Sequence, residues 1–211
     1  MSPRRAAPIA ATLLAVALLA AACATAPAER FYRLPLPPAA APGGASASAS
    51  ATAKPTSIAL GRVGLPELFD RPQLVTGSTG SAQVQIWEGQ RWGEPLREGI
   101  GRALAARLAV ELAPAQVLAA PLVGSGDPGW RVSVNLLRFD GELGRGVEHE
   151  WQWTLRRVAD GQQRSGRGGA RVPATGPGHD ALVAAHGVAL DGLARELAQA
   201  LNDLAGSPAP Q

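Results

Sequence analysis

The chain has 211 residues, 46% of them apolar and 18% charged, which allows one domain with a real core and excludes a fully disordered chain. Its formal charge of +3 includes Arg4 and Arg5; without those two, 18 basic residues face 17 acidic ones, so no phosphate-neutralising surplus points to nucleic acid. A single cysteine excludes internal disulfides and multi-cysteine metal or redox centres.

The first elements give an address. Arg4 and Arg5 precede an uncharged apolar run of 17 residues, Ala6 to Ala22, short for a membrane span and suited to a secretory signal. It ends in Leu19-Ala20-Ala21-Ala22-Cys23. Small residues ahead of a cysteine resemble a bacterial lipobox, in which residues 1–22 are cut away and the thiol is diacylated. Ala20 holds the position where leucine is commonest, so an ordinary signal peptide with an incidental cysteine is the alternative. Ala24 follows where aspartate would retain a lipoprotein at the inner membrane, a pattern resembling outer-membrane sorting. The expectation is lipidation of Cys23 and a mature chain facing the periplasm. Several acyl chains, at ~0.8 kcal/mol per buried methylene, make such an anchor effectively permanent.

Residues 23–55 read as the lipidated cysteine and a tether. Pro35 to Pro55 holds five prolines and eight alanines and no periodic apolar face. As a coil it spans roughly 25 Å, and stretched about 70 Å. Phe31-Tyr32-Arg33-Leu34 is too apolar for a spacer; it docks on the domain or sits at lipid headgroups, docking being favoured. The folded domain is expected over residues 56–205, with 206–211 a disordered tail.

Within that domain, Ser57 to Val63 and Gln73 to Thr76 read as strands, and Ala82 to Trp87 as a third, closed by a turn signal at Glu88-Gly89. Leu96, Ile100, Leu104, Leu108 and Leu112 recur every four residues, which predicts a helix stopped by Pro114. Trp130 to Phe139 alternates apolar and polar. So does Val147 to Leu155, with His149, Trp151 and Trp153 on one face and Glu148, Glu150, Gln152 and Thr154 on a solvated one. Gly161 to Arg171 reads as a twisted edge strand or a loop. A last helix runs from about Asp180 to Leu204, with Leu190, Leu193, Leu197 and Leu201 on its buried face. This order predicts an α+β fold: a two-layer sandwich whose mainly antiparallel sheet carries two long helices on one face.

Enzyme motifs fail one by one. Gly124-Ser125-Gly126-Asp127-Pro128-Gly129 matches a dinucleotide fingerprint in letters, but Pro128 and a following strand make it a turn. His149-Glu150 opens like a zinc-protease motif, yet Trp153 stands where the second histidine belongs. Lys54, the sole lysine, lies in the linker, so no phosphate-binding loop exists. His149 and His186 read as hydrogen-bonded core or interface histidines, and a hydrolase requires that one of them meet a serine and a carboxylate. Glu142, Glu148, Glu150, Asp160 and Asp180 show no spacing that certifies acid–base pairing. Trp151 and Trp153 are core or binding surface, core being favoured. No catalytic residue, cofactor or metal is expected.

Several blocks resemble one family. Cys23 followed by Phe31-Tyr32-Arg33-Leu34, Val63-Gly64-Leu65-Pro66-Glu67-Leu68-Phe69-Asp70-Arg71-Pro72-Gln73-Leu74-Val75, Arg91-Trp92-Gly93-Glu94-Pro95-Leu96, Val134 to Gly141 and Leu193 to Ala198 are similar, in order, to the PqiC-like ABC-type transport auxiliary lipoproteins. The resemblance implies an outer-membrane lipoprotein that works with mammalian-cell-entry (MCE) proteins in lipid traffic between two membranes. The energy-coupling partner is then an inner-membrane ABC transporter or a PqiA-like protein, and a homo-oligomeric ring is compatible. Leu65, Phe69, Asp70, Arg71, Arg91, Trp92 and Glu94 are the candidate contacts, because they join rigid backbone to charged and aromatic anchors. Equally, Asp70–Arg71 and Arg91–Glu94 read as internal salt bridges. A lipid carrier with an apolar cavity and a regulator of a cell-wall synthase are the other readings.

Overall fold

The computed structural model describes residues 28–38, 55, 57–78, 80–120 and 128–206. The expected signal peptide with Cys23, most of the expected tether and nearly all of the expected tail lie outside these residues. Among the described residues, eight strands and two helices follow in chain order: β1 (Arg30–Tyr32), β2 (Ser57–Leu60), β3 (Gln73–Thr76), β4 (Gln85–Trp92), α1 (Leu96–Glu111), β5 (Gln116–Ala119), β6 (Trp130–Glu142), β7 (Gly146–Arg157), β8 (Gln163–Pro173) and α2 (His179–Ala205). The fold is α+β, with two mixed sheets. One has three strands in the order β1-β4-β3, the other five in the order β5-β2-β6-β7-β8.

The long antiparallel ladders β6–β7 and β7–β8 dominate the larger sheet, while β5, β2 and β6 run parallel. Alternation decides its two faces. Val132, Val134, Leu136, Trp151, Trp153 and Leu155 point inward and are buried. At Leu136/Arg138 a bulge inserts Leu137, which turns Phe139 back to the inner face after two outward residues. The expected helical stripe is buried as well: Leu96, Ile100, Leu104 and Leu108 sit in the core together with Leu190, Leu193, Leu197 and Leu201 of α2. At about 25 cal/mol per Å² of apolar surface, each fully buried leucine contributes roughly 1.5–3 kcal/mol.

Three local features depart from the sequence reading. The turn signal Glu88-Gly89 does not end a strand. Leu74 pairs with Trp87 and Gln73 with Arg91, so the residues between form an irregularity inside β4, which continues to Trp92. Strand β5, for which no pattern stood out, adds to the edge of β2. Most consequentially, the Phe31–Leu34 segment docks on the domain, the favoured alternative, and does so as a strand: Arg30–Tyr32 pairs in parallel with Gln90–Trp92, and Leu34 is buried. The packed chain therefore extends upstream of Thr56, and the Pro/Ala-rich stretch runs between β1 and β2, which belong to different sheets.

The Gly/Arg-rich stretch is the edge strand β8. Its glycines are required by β7: a Cβ on Gly166 would collide with the Trp153 ring, and one on Gly168 would lie 2.6 Å from Trp151 Nε1. The indoles lie across β8 and fill the space its side chains leave. Both then donate to a single carboxylate on α2, Trp151 Nε1 to Glu196 Oε2 at 2.9 Å and Trp153 Nε1 to Glu196 Oε1 at 2.7 Å. The two tryptophans are core residues.

Candidate functional site

The candidate contacts fall on two neighbouring pieces of backbone. The loop after β2 is stitched to β6, Gly64 N–H donating to Val134 O at 2.8 Å and Leu136 N–H to Gly64 O at 2.9 Å. Its tip then turns on Phe69 N–H to Pro66 O, 3.0 Å. The corner between β4 and α1 joins it where Trp92 N–H donates to Pro72 O at 2.7 Å.

Burial divides the seven candidates. Leu65, Phe69 and Trp92 are each 8% exposed, and Phe69 meets Phe139 edge-on with ring centres 5.8 Å apart. Their apolar surface is spent on the core. Asp70 and Arg91 do form salt bridges, but not with their sequence neighbours. Asp70 pairs with Arg97 at 2.6 Å, and Arg97 also donates to Val63 O at 2.9 Å, which ties the loop to α1. Arg91 pairs with Glu29 at 2.9 Å, and Glu94 with Arg102. Arg71 is half-buried, with an unpartnered Nε. What this surface presents outward is Glu67, Leu68 and Asp70, with Arg71 and Arg91 partly exposed beside them.

The two core histidines meet each other. His149 Nε2 lies 2.7 Å from His186 Nδ1, and Phe139 stacks on both rings, 4.6 Å and 4.1 Å between centres. They are 1% and 3% exposed. Burial pushes His149 down to about 3, and burial followed by the neighbouring His149 holds His186 well below its ordinary value. Two neutral imidazoles share one proton in this bond, one ring donating and the other accepting. Among the described residues neither ring has a serine hydroxyl or a carboxylate as hydrogen-bond partner, so the constellation that a hydrolase reading requires is not formed. A void of about 10 Å³ beside His186, Phe69 and Trp92 has room for a water molecule, not an acyl chain.

The solvent face of β6–β7–β8 holds a charged lattice. Arg138 reaches Glu148 at 2.9 Å, Glu150 at 3.1 Å and Asp140 at 3.6 Å; Arg171 and Arg167 close the same two glutamates from β8, at 2.8 and 3.0 Å. Burial raises the Asp140 carboxyl above its ordinary value; Arg138 opposes that, while Glu148 and Glu150 add to it. An open cleft of about 320 Å³ lies alongside, between Asp140, Glu142, Arg145, Glu148 and Arg171. Among the described residues no group of three His, Cys, Asp or Glu side chains is arranged to hold a metal ion.

No sequence motif singles out Arg107. It lies on the buried side of α1 between Leu104 and Leu108, pairs with Asp191 of α2, and donates to Pro35 O at 2.9 Å and Gly187 O at 3.1 Å. An arginine inside an apolar stripe is the signal that could have found it.

The description of the ABC-type transport auxiliary lipoprotein component matches residues 32–198. The chain belongs to that family. The match opens at Tyr32, the last residue of β1, and spans every later strand. A crystal structure of an uncharacterized protein is similar at a TM-score of 0.65 and 19% identity, over 83% of this chain and 99% of the other. Protein XCC0632 from Xanthomonas campestris is similar at 0.62 and 15% identity, over 84% of this chain and 96% of that one. At such identities the likeness is one of fold. No curated protein matches in sequence.

Proposed function

We propose that this auxiliary lipoprotein is a non-enzymatic accessory of an MCE-type lipid transport system. It is acylated at Cys23, held at the periplasmic side of the outer membrane, and docks the periplasmic end of the MCE protein there. The membership of residues 32–198 in the transport-auxiliary lipoprotein family carries the reading. The lipobox-like Leu19 to Cys23 supports the anchor, and Ala24 supports the outer membrane. The energy-coupling partner is an inner-membrane ABC transporter or a PqiA-like protein. The docking surface is the outward side of the loop and corner, Glu67, Leu68, Asp70, Arg71 and Arg91; Leu65, Phe69, Trp92 and Glu94 hold that backbone in place. Charged and apolar groups on a backbone stitched to both β6 and α1 suit a protein partner, because little conformational freedom remains to be lost on binding.

Crosslinking from gently solubilised envelopes, read by mass spectrometry of proteins and lipids, tests this. An MCE protein crosslinked near Glu67 to Arg91 is the expected result. A cell-wall synthase in its place, or co-purifying phospholipid with no protein partner, overturns it.

A further inference from the structure

The strand β1 changes where the membrane must lie. Only seven residue steps separate Cys23 from Arg30, a reach of roughly 25 Å at full extension. A domain of about 150 residues is roughly 40 Å across. The attachment is thus shorter than the domain is wide, and the long Pro/Ala-rich stretch adds nothing to it, because that stretch lies downstream of β1. An acylated Cys23 brings the surface around β1 to the bilayer.

That surface is built for the meeting. Tyr32 and Leu34 turn inward, while Phe31 and Leu36 turn out, 64% and 51% exposed. Pro35 packs on Gly187, where any Cβ would collide with the proline ring, and Val188 next to it is again 51% exposed. Arg30 and Arg33 flank this segment in sequence and are both exposed. Nothing here is loose: β1 is paired to β4, Tyr32 hydroxyl donates to Gln90 Oε1 at 2.6 Å, and Arg107 holds Pro35 O and Gly187 O together.

We propose that Phe31, Leu36 and Val188, flanked by Arg30 and Arg33, rest in the headgroup region of the membrane that holds the Cys23 acyl chains, where phosphate groups of anionic phospholipids meet the two guanidinium groups. The inference rests on the lipid-anchor reading. Apolar tips with cationic neighbours are the composition that favours an interfacial position. The contact fixes the orientation of the domain, so the surface offered to a periplasmic partner is set by the anchor and is not swept at random.

The test uses the full lipidated chain in vesicles of phosphatidylethanolamine and phosphatidylglycerol, with a nitroxide label at Val188→Cys or, on the solvent face of the large sheet, Leu137→Cys. Both native side chains are exposed, so folding is undisturbed, and an acylated Cys23 takes no label. Expected is a Val188 label at least several-fold more accessible to lipid-dissolved oxygen, relative to an aqueous nickel chelate, than the Leu137 label. Adding Phe31→Asp and Leu36→Asp returns the Val188 label to aqueous values. Two aqueous labels on a chain whose Cys23 is acylated by mass spectrometry overturn the contact and leave the anchor standing. A Cys23 without acyl chains overturns both, and shielding of Val188 only after a partner protein is added assigns the strip to that protein and overturns the membrane contact.

Discussion

Both faces of the β6–β7–β8 ladder carry polar groups, few on the inner face and many on the outer, and the two faces use them in opposite ways. Inward, Trp151 and Trp153 share the one carboxylate of Glu196, and His149 has His186 alone. Outward, Arg138 is divided among Asp140, Glu148 and Glu150, and each glutamate has a second arginine on β8. A buried group with one partner has nowhere else to turn when that partner is lost. An exposed group with several partners and water loses little. The inner face is therefore where side-chain identity is dictated, and the outer face is where it is free to vary.

The largest expected effect is on the inner face. Trp151→Ala removes a fully buried indole lying across Gly168 and leaves a cavity between β7, β8 and α2, for an expected loss of about 3–5 kcal/mol in urea unfolding. A loss below 1 kcal/mol would show that the indole is not a packing element. Acid comes next. His149 is neutral in the folded chain, with its value down at about 3, while the unfolded imidazole titrates near 6.5. Its contribution is thus complete above 6.5 and is lost as pH falls, because only the unfolded state takes up the proton. The loss at pH 5 is about 2 kcal/mol from His149. His186 and the partly buried His179, beside Arg30, are held down too and act in the same direction. Unfolding midpoints measured from pH 7.5 to 5 check this, and His149→Phe flattens the curve; a flat profile in the unsubstituted chain contradicts a neutral buried pair.

How far the sequence reading reached follows the same division. Periodicity reports which face of an element is buried, and the α1 stripe, the Trp151 and Trp153 face of β7 and the buried side of α2 stand where alternation and four-residue spacing put them. Pairings between elements are another matter. Sequence proximity pairs Asp70 with Arg71 and Arg91 with Glu94, but Asp70 reaches Arg97 across the loop and Arg91 reaches back to Glu29. No local pattern encodes such distances. His149 and His186 each lay near an apolar face, yet their bond exists only because α2 crosses β7 at that level. For the contact candidates, the apolar Leu65, Phe69 and Trp92 drew notice for the property that buries them. The outward residues Glu67 and Leu68 lie in the same block of sequence, but nothing in the local pattern separates outward from inward positions there.

Arg107 sits between the two regimes, buried itself but paired with a half-exposed Asp191. In Arg107→Ala the aspartate regains water, while Pro35 O and Gly187 O lose their donor, for an expected cost of about 1–2 kcal/mol. The more telling readout is local: amide exchange of Tyr32 and Leu34 accelerates well beyond that of α1. Unchanged exchange there means that β1 is held by its pairing with β4 alone.

The smallest effect belongs to the outer face. Arg138→Gln leaves three carboxylates, Asp140, Glu148 and Glu150, clustered on two strands without their shared cation. Arg167 and Arg171 still neutralise the glutamates from β8, and Arg138 is about one-third exposed, so screening by water is already part of its pairing. The expected cost is below about 1 kcal/mol at neutral pH. Its sign with pH is opposite to that of the histidines: carboxylate repulsion vanishes on protonation, so the gap between variant and parent narrows as pH falls. High salt narrows it as well. A cost equal to that of Trp151→Ala would erase the contrast between the faces and make the lattice a structural device. A small, salt-sensitive cost leaves it as a tunable charged surface beside the 320 Å³ cleft, free to change without penalty to the fold.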